Sequence, residues 1–325
     1  MKAIRKAYKA IFVIAVLAIS GEAMATEEGP MIELKKTYSK SYSLGSNEKV
    51  SINHQYGELT IHTWDKNEVK AEVTISVSSD DEQYARSVLN AISIEDGKNS
   101  NGVYFRTQIG DVSRRRNNGS RSSENRVISY VVYMPSPNPL YVNMQFGSTN
   151  IADFKGPIEI SHEYGSLTTG VLSNVKSITA TYGSASLGGI NNGKVNLEYG
   201  SASIRNISGN VQVYSGYCQI KVGVDNDIKN LDLKCEYGDV QMNVADNINA
   251  SFNVKTSYAE LKNRGGIKFT KEKEDPGPVF DHIYTATNGN GSAKIKVKSE
   301  FTQVTIGNNL SLENNTKSKK KEKSI

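Results

Sequence analysis

The triplet Tyr-Gly-Ser occurs three times in this chain, with its tyrosine at Tyr164, Tyr182 and Tyr199. The steps between these tyrosines are 18 and 17 residues. A binding site seldom recurs along a chain at one period, whereas a structural unit does. The recurrence therefore constrains the architecture of the protein more than its activity.

The aromatic-glycine pair recurs beyond these three copies, at steps of 16 to 22 residues, and defines a repeat. Degenerate copies are assigned at Ser215-Gly216 and Tyr258-Ala259, and further copies are predicted at Asn290-Gly291 and Phe301-Thr302. The predicted turn residues of the repeat are Tyr56, Gly57, Phe146, Gly147, Tyr164, Gly165, Tyr182, Gly183, Tyr199, Gly200, Gly216, Tyr237, Gly238 and Tyr258.

Apolar residues alternate with polar ones on both sides of each repeat glycine. Around Gly200 the apolar positions are Val195 and Leu197 before it and Ala202 and Ile204 after it. A period of two is typical of strands with one buried face, and Asn and Gly between the strands indicate turns. A unit this short cannot bury its face alone, but stacked copies can. The pattern predicts an all-β protein whose residues 141–312 form a parallel β-solenoid. A right-handed β-helix is favoured, although the sequence leaves the handedness open.

The aromatic residue before each glycine has the same parity as the buried apolar positions. The parity therefore predicts rings that point inwards and form a structural ladder, one ring per coil. Rings that point outwards, as a platform for sugars, are the alternative. The glycine is expected to supply the bend between strands, with a positive φ.

The region from 26 to 140 differs from the repeats and is predicted to cap the solenoid, since an uncovered first coil would expose unpaired backbone groups. Val69–Ser78 alternates as a strand, and residues 79–82 are expected to cap a short helix that follows them. The Arg-rich stretch 111–125 is predicted to be a disordered loop, and 313–325 a disordered basic tail.

The chain begins with basic residues, an apolar run over 10–20 and the small-residue pattern Ala23-Met24-Ala25, which is typical of a secretory signal cleaved after residue 25. The mature protein is expected to be exported and not to span a membrane. The net charge of +5 is concentrated in the leader and in the tail, so the folded body offers no basic face for nucleic acid.

Candidate chemical groups fall into three sets. The acidic residues Asp225, Asp227, Asp232, Glu236, Asp239 and Asp246 are close in sequence, but turn-capping and solvated strand positions are the favoured interpretation. His54 and His162 occupy an inward column, where hydrogen-bonded burial is favoured over a metal pair. The two cysteines, Cys218 and Cys235, lie in different columns, which favours buried thiols over a disulfide.

The order of segments resembles the bacterial exported "putative adhesin" family of unknown function. The resemblance is carried by YGELTIHTWDKNEVKAEVTI from Tyr56, by SYVVYMPSPNPLYVNMQFGSTNI from Ser129, and by the Tyr-Gly-Ser/Asp copies that follow. It covers most of the mature chain and implies repeated strand-turn-strand coils. The family brings no catalytic residues that could be assigned here.

The sequence favours an exported, non-catalytic protein that binds or scaffolds an envelope glycan or protein, with ends that offer edges for self-association. No catalytic, cofactor or metal site is predicted. Two alternatives stay open: a carbohydrate-active β-helix enzyme, because polysaccharide lyases share such folds, and a sensory partner in an envelope-stress pathway.

Overall fold

The computed structural model describes residues 14–16, 31–112, 116–117, 120–121, 124–272 and 280–312. Within these ranges the protein is all-β with one helix. The chain divides into two compact units, Met1–Gly170 and Val171–Ile325, and the predicted boundary at 140/141 falls inside the first. The predicted tail, nearly all of the leader and much of the Arg-rich stretch lie outside the described residues.

The first unit contains ten strands, one helix and the beginning of an eleventh strand. These elements are β1 (Ile14–Val16), β2 (Ile32–Ser43), β3 (Val50–Trp64), β4 (Glu68–Ser79), α1 (Glu82–Ala91), β5 (Ile92–Asn99), β6 (Gly102–Ile109), β7 (Arg116–Asn117), β8 (Ser120–Arg121), β9 (Glu124–Pro135), β10 (Leu140–Ile151) and β11 (Phe154–Val244).

The main sheet of the first unit changes from antiparallel to parallel pairing. Strands β2, β4 and β9 pair antiparallel in that order, and β1 pairs with the outer edge of β2. Strands β9, β3, β10 and the start of β11 then pair parallel. In this register Gly147 lies opposite both Gly57 and Gly165, so three repeat copies are neighbours in space.

The period-two pattern of β4 places its apolar residues in the core of the first unit. Val69, Ala71, Val73, Ile75 and Val77 are all buried, while the residues between them reach solvent at least partly. The strand predicted at Val69–Ser78 is confirmed.

Helix α1 begins where its capping residues predicted. The Asp81 carboxylate accepts a hydrogen bond from the Tyr84 backbone N–H at 3.0 Å and satisfies a donor at the helix N-terminus. At the other end the Lys36 ammonium donates to the carbonyls of Leu89 at 3.1 Å and Ile92 at 2.5 Å. No helix in the described part of the chain is long and apolar enough to cross a membrane.

The second unit contains the rest of β11 and five further strands. These are β12 (Ala250–Ser257), β13 (Leu261–Arg264), β14 (Thr270–Lys271), β15 (Asp281–Asn288) and β16 (Ala293–Gly307).

Strand β16, the last strand among the described residues, lies between two earlier strands of the second unit. It pairs parallel with the end of β11 on one side, where Leu233 is opposite Val297, and with β12 on the other, where Val254 is opposite the same valine. Strands β15 and β14 follow β12 in antiparallel pairing. The spatial order of the copies in this unit therefore differs from their order in the sequence.

Candidate functional site

An exposed ladder of seven stacked aromatic rings is the most regular surface feature of the second unit. Neighbouring centroids lie 4.4 to 5.2 Å apart, and interplanar angles are 4 to 7° except for 28° at the last pair. The rings, in spatial order, are Tyr182, Tyr199, Tyr217, Tyr237, Phe301, Tyr258 and Phe280. We call this set the long ladder.

A shorter ladder of the same geometry lies in the first unit. Phe146 stacks on Tyr56 at 5.1 Å and on Tyr164 at 5.0 Å. The guanidinium of Arg126 lies 5.7 Å from the centroid of the Tyr56 ring, within the range of a cation–π contact.

The predicted inward orientation of the rings was wrong. Every ring of both ladders is exposed, from 37% at Tyr56 to 57% at Tyr258. Most residues three and five positions before the repeat glycine, such as Leu197 and Val195, are buried as predicted, whereas Ala180 is half-buried. The side-chain parity therefore changes between these residues and the ring.

The backbone of the aromatic residue explains this change of parity. The backbone φ is positive at every residue that contributes a ladder ring except Phe280, for example 56° at Tyr199 and 53° at Tyr237. These residues therefore adopt the left-handed conformation. One such residue bends the strand, as in a β-bulge. Beyond it, the positions that face inwards and those that face outwards are exchanged. Glycine was expected to carry this φ, but among the repeat glycines only Gly57 and Gly165 have a positive φ.

Stacking offsets the strain of the left-handed conformation. An L-residue with a Cβ is disfavoured there by about 1 to 2 kcal/mol. Each aromatic pair contributes about 0.5 to 1.5 kcal/mol beyond its buried area, and an interior ring such as Tyr199 has two neighbours, at 4.8 and 5.2 Å. The ladder and the bend thus stabilise each other.

The stacked arrangement decides what the ladder can bind. The faces of interior rings are covered by their neighbours, so no sugar ring can lie flat on them. The surface instead presents ring edges, which carry partial positive charge, and a row of tyrosine hydroxyls that donate and accept hydrogen bonds. This chemistry suits a long partner that contacts successive edges.

Substitution of Tyr199 separates the contributions of stacking and backbone strain. Tyr199→Ala is expected to lower the free energy of unfolding of the second unit by about 2 kcal/mol, because two stacked pairs are lost and the strain remains. Tyr199→Gly and Tyr199→Asn are expected to cost about 1 kcal/mol, since both residues tolerate the left-handed conformation. Urea denaturation followed by circular dichroism gives the order, and an alanine variant more stable than the glycine variant would contradict it.

One repeat copy is displaced by two residues from its predicted position. The ring in the long ladder and the positive φ of 50° belong to Tyr217, not to Ser215, which the sequence had placed before Gly216. Cys218 therefore stands at the repeat position that glycine holds elsewhere. Of the two further copies predicted, Phe301-Thr302 is in the ladder, whereas Asn290-Gly291 lies in the turn before β16.

Cys218 and Cys235 are free, buried thiols, as predicted. Burial raises the pKa of both thiols. At neutral pH they are therefore protonated and poor nucleophiles.

The two buried histidines lie in one column, on either side of Met144. This methionine is opposite His54 on β3 and opposite His162 on β11, so the two imidazoles belong to strands separated by β10. His54 hydrogen-bonds the Thr107 hydroxyl at 3.0 Å and the Ile128 carbonyl at 2.9 Å, whereas His162 Nε2 is buried and has no hydrogen-bond partner among the described residues. Burial lowers the pKa of each histidine to about 4.

The acidic residues singled out in the sequence are distributed over several surfaces. Asp225 in β11 accepts a hydrogen bond from Asn206 at 2.7 Å, and Glu236 pairs with Lys234 at 2.6 Å. Asp232 and Asp239 line two different grooves. Among the described residues no group of three or more potential metal ligands comes together.

A groove on the strand face of the second unit, with polar side chains above an apolar floor that includes Val211, Leu231 and Ile295, was not predicted from the sequence. It has a volume of about 750 Å³. Its polar lining is Lys194, Asn210, Gln212, Asn230, Asp232, Ser251, Asn253, Lys294 and Lys296. The alternation of apolar and polar residues predicts that these side chains point outwards. It does not predict that Lys294 and Lys296 lie next to the other lining residues, because this depends on the insertion of β16 between β11 and β12. We call this feature the lateral groove.

Comparison with known proteins gives a family match and distant structural likenesses. Residues 27–307 match the model of the Toastrack DUF4097 family. A crystal structure described as a putative cell adhesion protein from Clostridium sporogenes is 14% identical, covers 84% of this chain and 99% of its own, and gives a TM-score of 0.23. A crystal structure of a putative adhesin from Bacteroides fragilis is 12% identical, covers 84% of this chain and 96% of its own, and gives a TM-score of 0.39. These scores carry no argument about function. The comparison with curated proteins gave no match.

Proposed function

The chain belongs to the Toastrack DUF4097 family, and on that premise we propose that it is an exported, non-catalytic binding protein of the bacterial cell envelope. Its partner is a long envelope polymer, a glycan or a protein, that lies along the coils. The proposed export depends on the leader predicted at residues 1–25.

The proposal includes a parallel β-solenoid within each unit. Its support is the register of successive copies: a Cβ built on Gly200 would lie 1.9 Å from the Gly183 carbonyl oxygen, and one built on Gly238 would lie 2.1 Å from that of Cys218. The backbones of neighbouring copies therefore approach closely at one repeat position. We assign the coils the right-handed winding that connections between parallel strands strongly favour.

The single observation that carries the binding role is the exposed long ladder. Monomeric soluble proteins rarely leave a contiguous apolar surface open to water, and such surfaces mark interaction sites. Here the aromatic side chains are exposed in every copy, although the buried positions beside them are aliphatic. A periodic stripe of ring edges and hydroxyls fits a partner that is itself periodic.

Retention on insoluble envelope material tests the proposal. The purified mature chain is expected to co-sediment with peptidoglycan sacculi or with another bacterial envelope polymer from a panel. The double variant Tyr199→Asn/Tyr217→Asn is expected to reduce the bound fraction at least tenfold, because it removes two adjacent interior rings.

The variant Tyr199→Phe/Tyr217→Phe keeps the stack and removes only two hydroxyls, so comparing it with the asparagine variant separates the contribution of the hydroxyls from that of the rings. Circular dichroism checks that both variants keep the fold. If no polymer retains the wild-type chain, or if the asparagine variant binds as well as wild type, the proposed function is wrong.

A further inference from the structure

The lateral groove has a repeating composition set by its position relative to the long ladder. Residues five positions before a ladder ring form one outward row, which consists of Lys194, Gln212, Asp232, Lys296 and Asn253. Residues seven positions before form a second row, which consists of Asn210, Asn230, Lys294 and Ser251. Since neighbouring parallel strands are about 4.8 Å apart, each row offers one polar side chain at that interval.

In the strip of surface between the groove and the long ladder the lysines are balanced by carboxylates, and Glu198 adds one carboxylate more. Three lysines there are ion-paired with acidic residues: Lys234 with Glu236 at 2.6 Å, Lys298 with Glu300 at 3.5 Å, and Lys255 with Asp281 at 2.6 Å. These lysines have their counter-charges within the protein. They are poor candidates for binding an external anion.

The lysines of the groove differ from those of the strip. Lys194, Lys294 and Lys296 are exposed, and no described carboxylate lies within 4 Å of their ammonium groups. Asp232 is the only acidic residue among the described residues that line the groove. Three lysines and one carboxylate among the described lining residues give the groove a net positive charge.

The amides of the groove provide hydrogen-bonding capacity between the cations. In the described part of the chain Gln212 and Asn253 make no side-chain hydrogen bond within the protein, whereas Asn230 donates to Asn210 at 2.5 Å. Amides, together with the Asp232 carboxylate, match the hydroxyl groups of a sugar. The two ammonium groups at Lys194 and Lys296 lie three strands apart, about 14 Å along the stack.

We propose that the lateral groove binds an acidic polysaccharide, with Lys194, Lys294 and Lys296 contacting its carboxylates and Gln212, Asn253 and Asp232 contacting its hydroxyls. The groove is open and elongated, as a linear polymer requires. A nucleic acid, with a phosphate at every nucleotide, would meet the Asp232 carboxylate and too few cations. The inference rests on the proposed binding function and names its ligand class.

Binding of polygalacturonate to the purified mature chain tests the inference. Affinity electrophoresis and titration calorimetry are expected to detect binding that weakens as salt is raised, because ionic screening acts on exposed charges. Neutral dextran is expected not to bind. The double variant Lys194→Gln/Lys296→Gln is expected to bind at least tenfold more weakly.

Two further variants make the test specific. Lys298→Gln is the matched control, since it removes a lysine from the same strand as Lys296 but from an ion pair, and it is expected to change affinity less than twofold. Asp232→Asn is expected to tighten binding about threefold, because it removes a repelling charge from the groove. A variant that merely disturbed folding would not tighten binding.

Several results would overturn the inference: no binding of polygalacturonate, equal binding of dextran, tighter binding of duplex DNA, or equal losses in Lys298→Gln and the double variant. The results that would contradict the proposed binding function differ from those that would contradict the groove ligand. If sacculi retain the chain through Tyr199 and Tyr217 while polygalacturonate does not bind, the binding role stands and the acidic groove ligand is wrong.

Discussion

Gly165→Ala is expected to destabilise the first unit by about 4 kcal/mol, the largest effect of any substitution considered for this protein. The Cβ of the alanine would lie 1.7 Å from the carbonyl oxygen of Gly147 on the neighbouring strand. The φ of Gly165 is also +152°, in a region that residues with a Cβ avoid. Neither conflict can be relieved by a side-chain rotation, because the neighbouring atom belongs to the backbone.

Urea denaturation of the first unit measures this effect against a glycine in open surroundings. Gly45→Ala is the control, since its Cβ would contact only the Glu48 side chain at an ordinary 3.6 Å, and it is expected to stay within about 0.5 kcal/mol of wild type. Cys218 and Thr302 occupy the equivalent repeat position in the second unit, but neither has a positive φ. Equal stability of the Gly165 and Gly45 variants would contradict the close approach of the two strands.

The first unit is expected to lose stability as the pH falls from about 6.5 to 4, with His54 and His162 each contributing about 3 kcal/mol. In the folded state the pKa of each histidine is lowered to about 4, chiefly by burial. Above pH 6.5 both imidazoles are neutral whether the chain is folded or unfolded, so they cause no loss there. Between pH 6.5 and 4 only the unfolded chain takes up the protons, and this favours unfolding.

The variant His162→Met isolates one of these two contributions. Methionine is apolar, it occupies the adjacent position in the column at Met144, and it removes an Nε2 atom that no described residue hydrogen-bonds. Its free energy of unfolding at pH 7 is expected to equal or exceed that of wild type, while the loss between pH 6.5 and 4 falls by about half. His62→Gln, at an exposed position, is the control. An unchanged pH dependence in His162→Met would show that the buried imidazole does not remain neutral.

Local patterns in the sequence predicted the strands, the helix and most repeat positions. The alternation in Val69–Ser78 and the capping carboxylate of Asp81 act over a few residues. The strand and the helix start could therefore be predicted from the sequence. The aromatic-glycine pair likewise located most bends, and its spacing located the degenerate copies at Tyr258 and Phe301, which lack the glycine. These features depend on local backbone geometry and need no knowledge of the neighbouring strands.

The orientation of the rings and the lateral groove could not be read in the same way. Predicting the side-chain direction from a period of two assumes an extended backbone. The left-handed conformation at Tyr199 and its equivalents does not satisfy that assumption. The registration error at Ser215 arose because Gly216 resembled the repeat glycine, whereas the stack selects Tyr217. The groove depends on Lys294 and Lys296, which are far in sequence from Lys194 and become its neighbours only through tertiary pairing.

The position of β16 between β11 and β12 also has a consequence for how the second unit is made. During synthesis residues 250–257 are made well before residues 293–307. Strand β12 therefore cannot pair with its native neighbour β16 until β16 has been synthesised. Early docking of β12 onto the end of β11 would place the wrong pair side by side and would have to be undone. Final assembly of this unit is therefore a non-local event that follows synthesis of residues 293–307, and such long-range closures are characteristically slow.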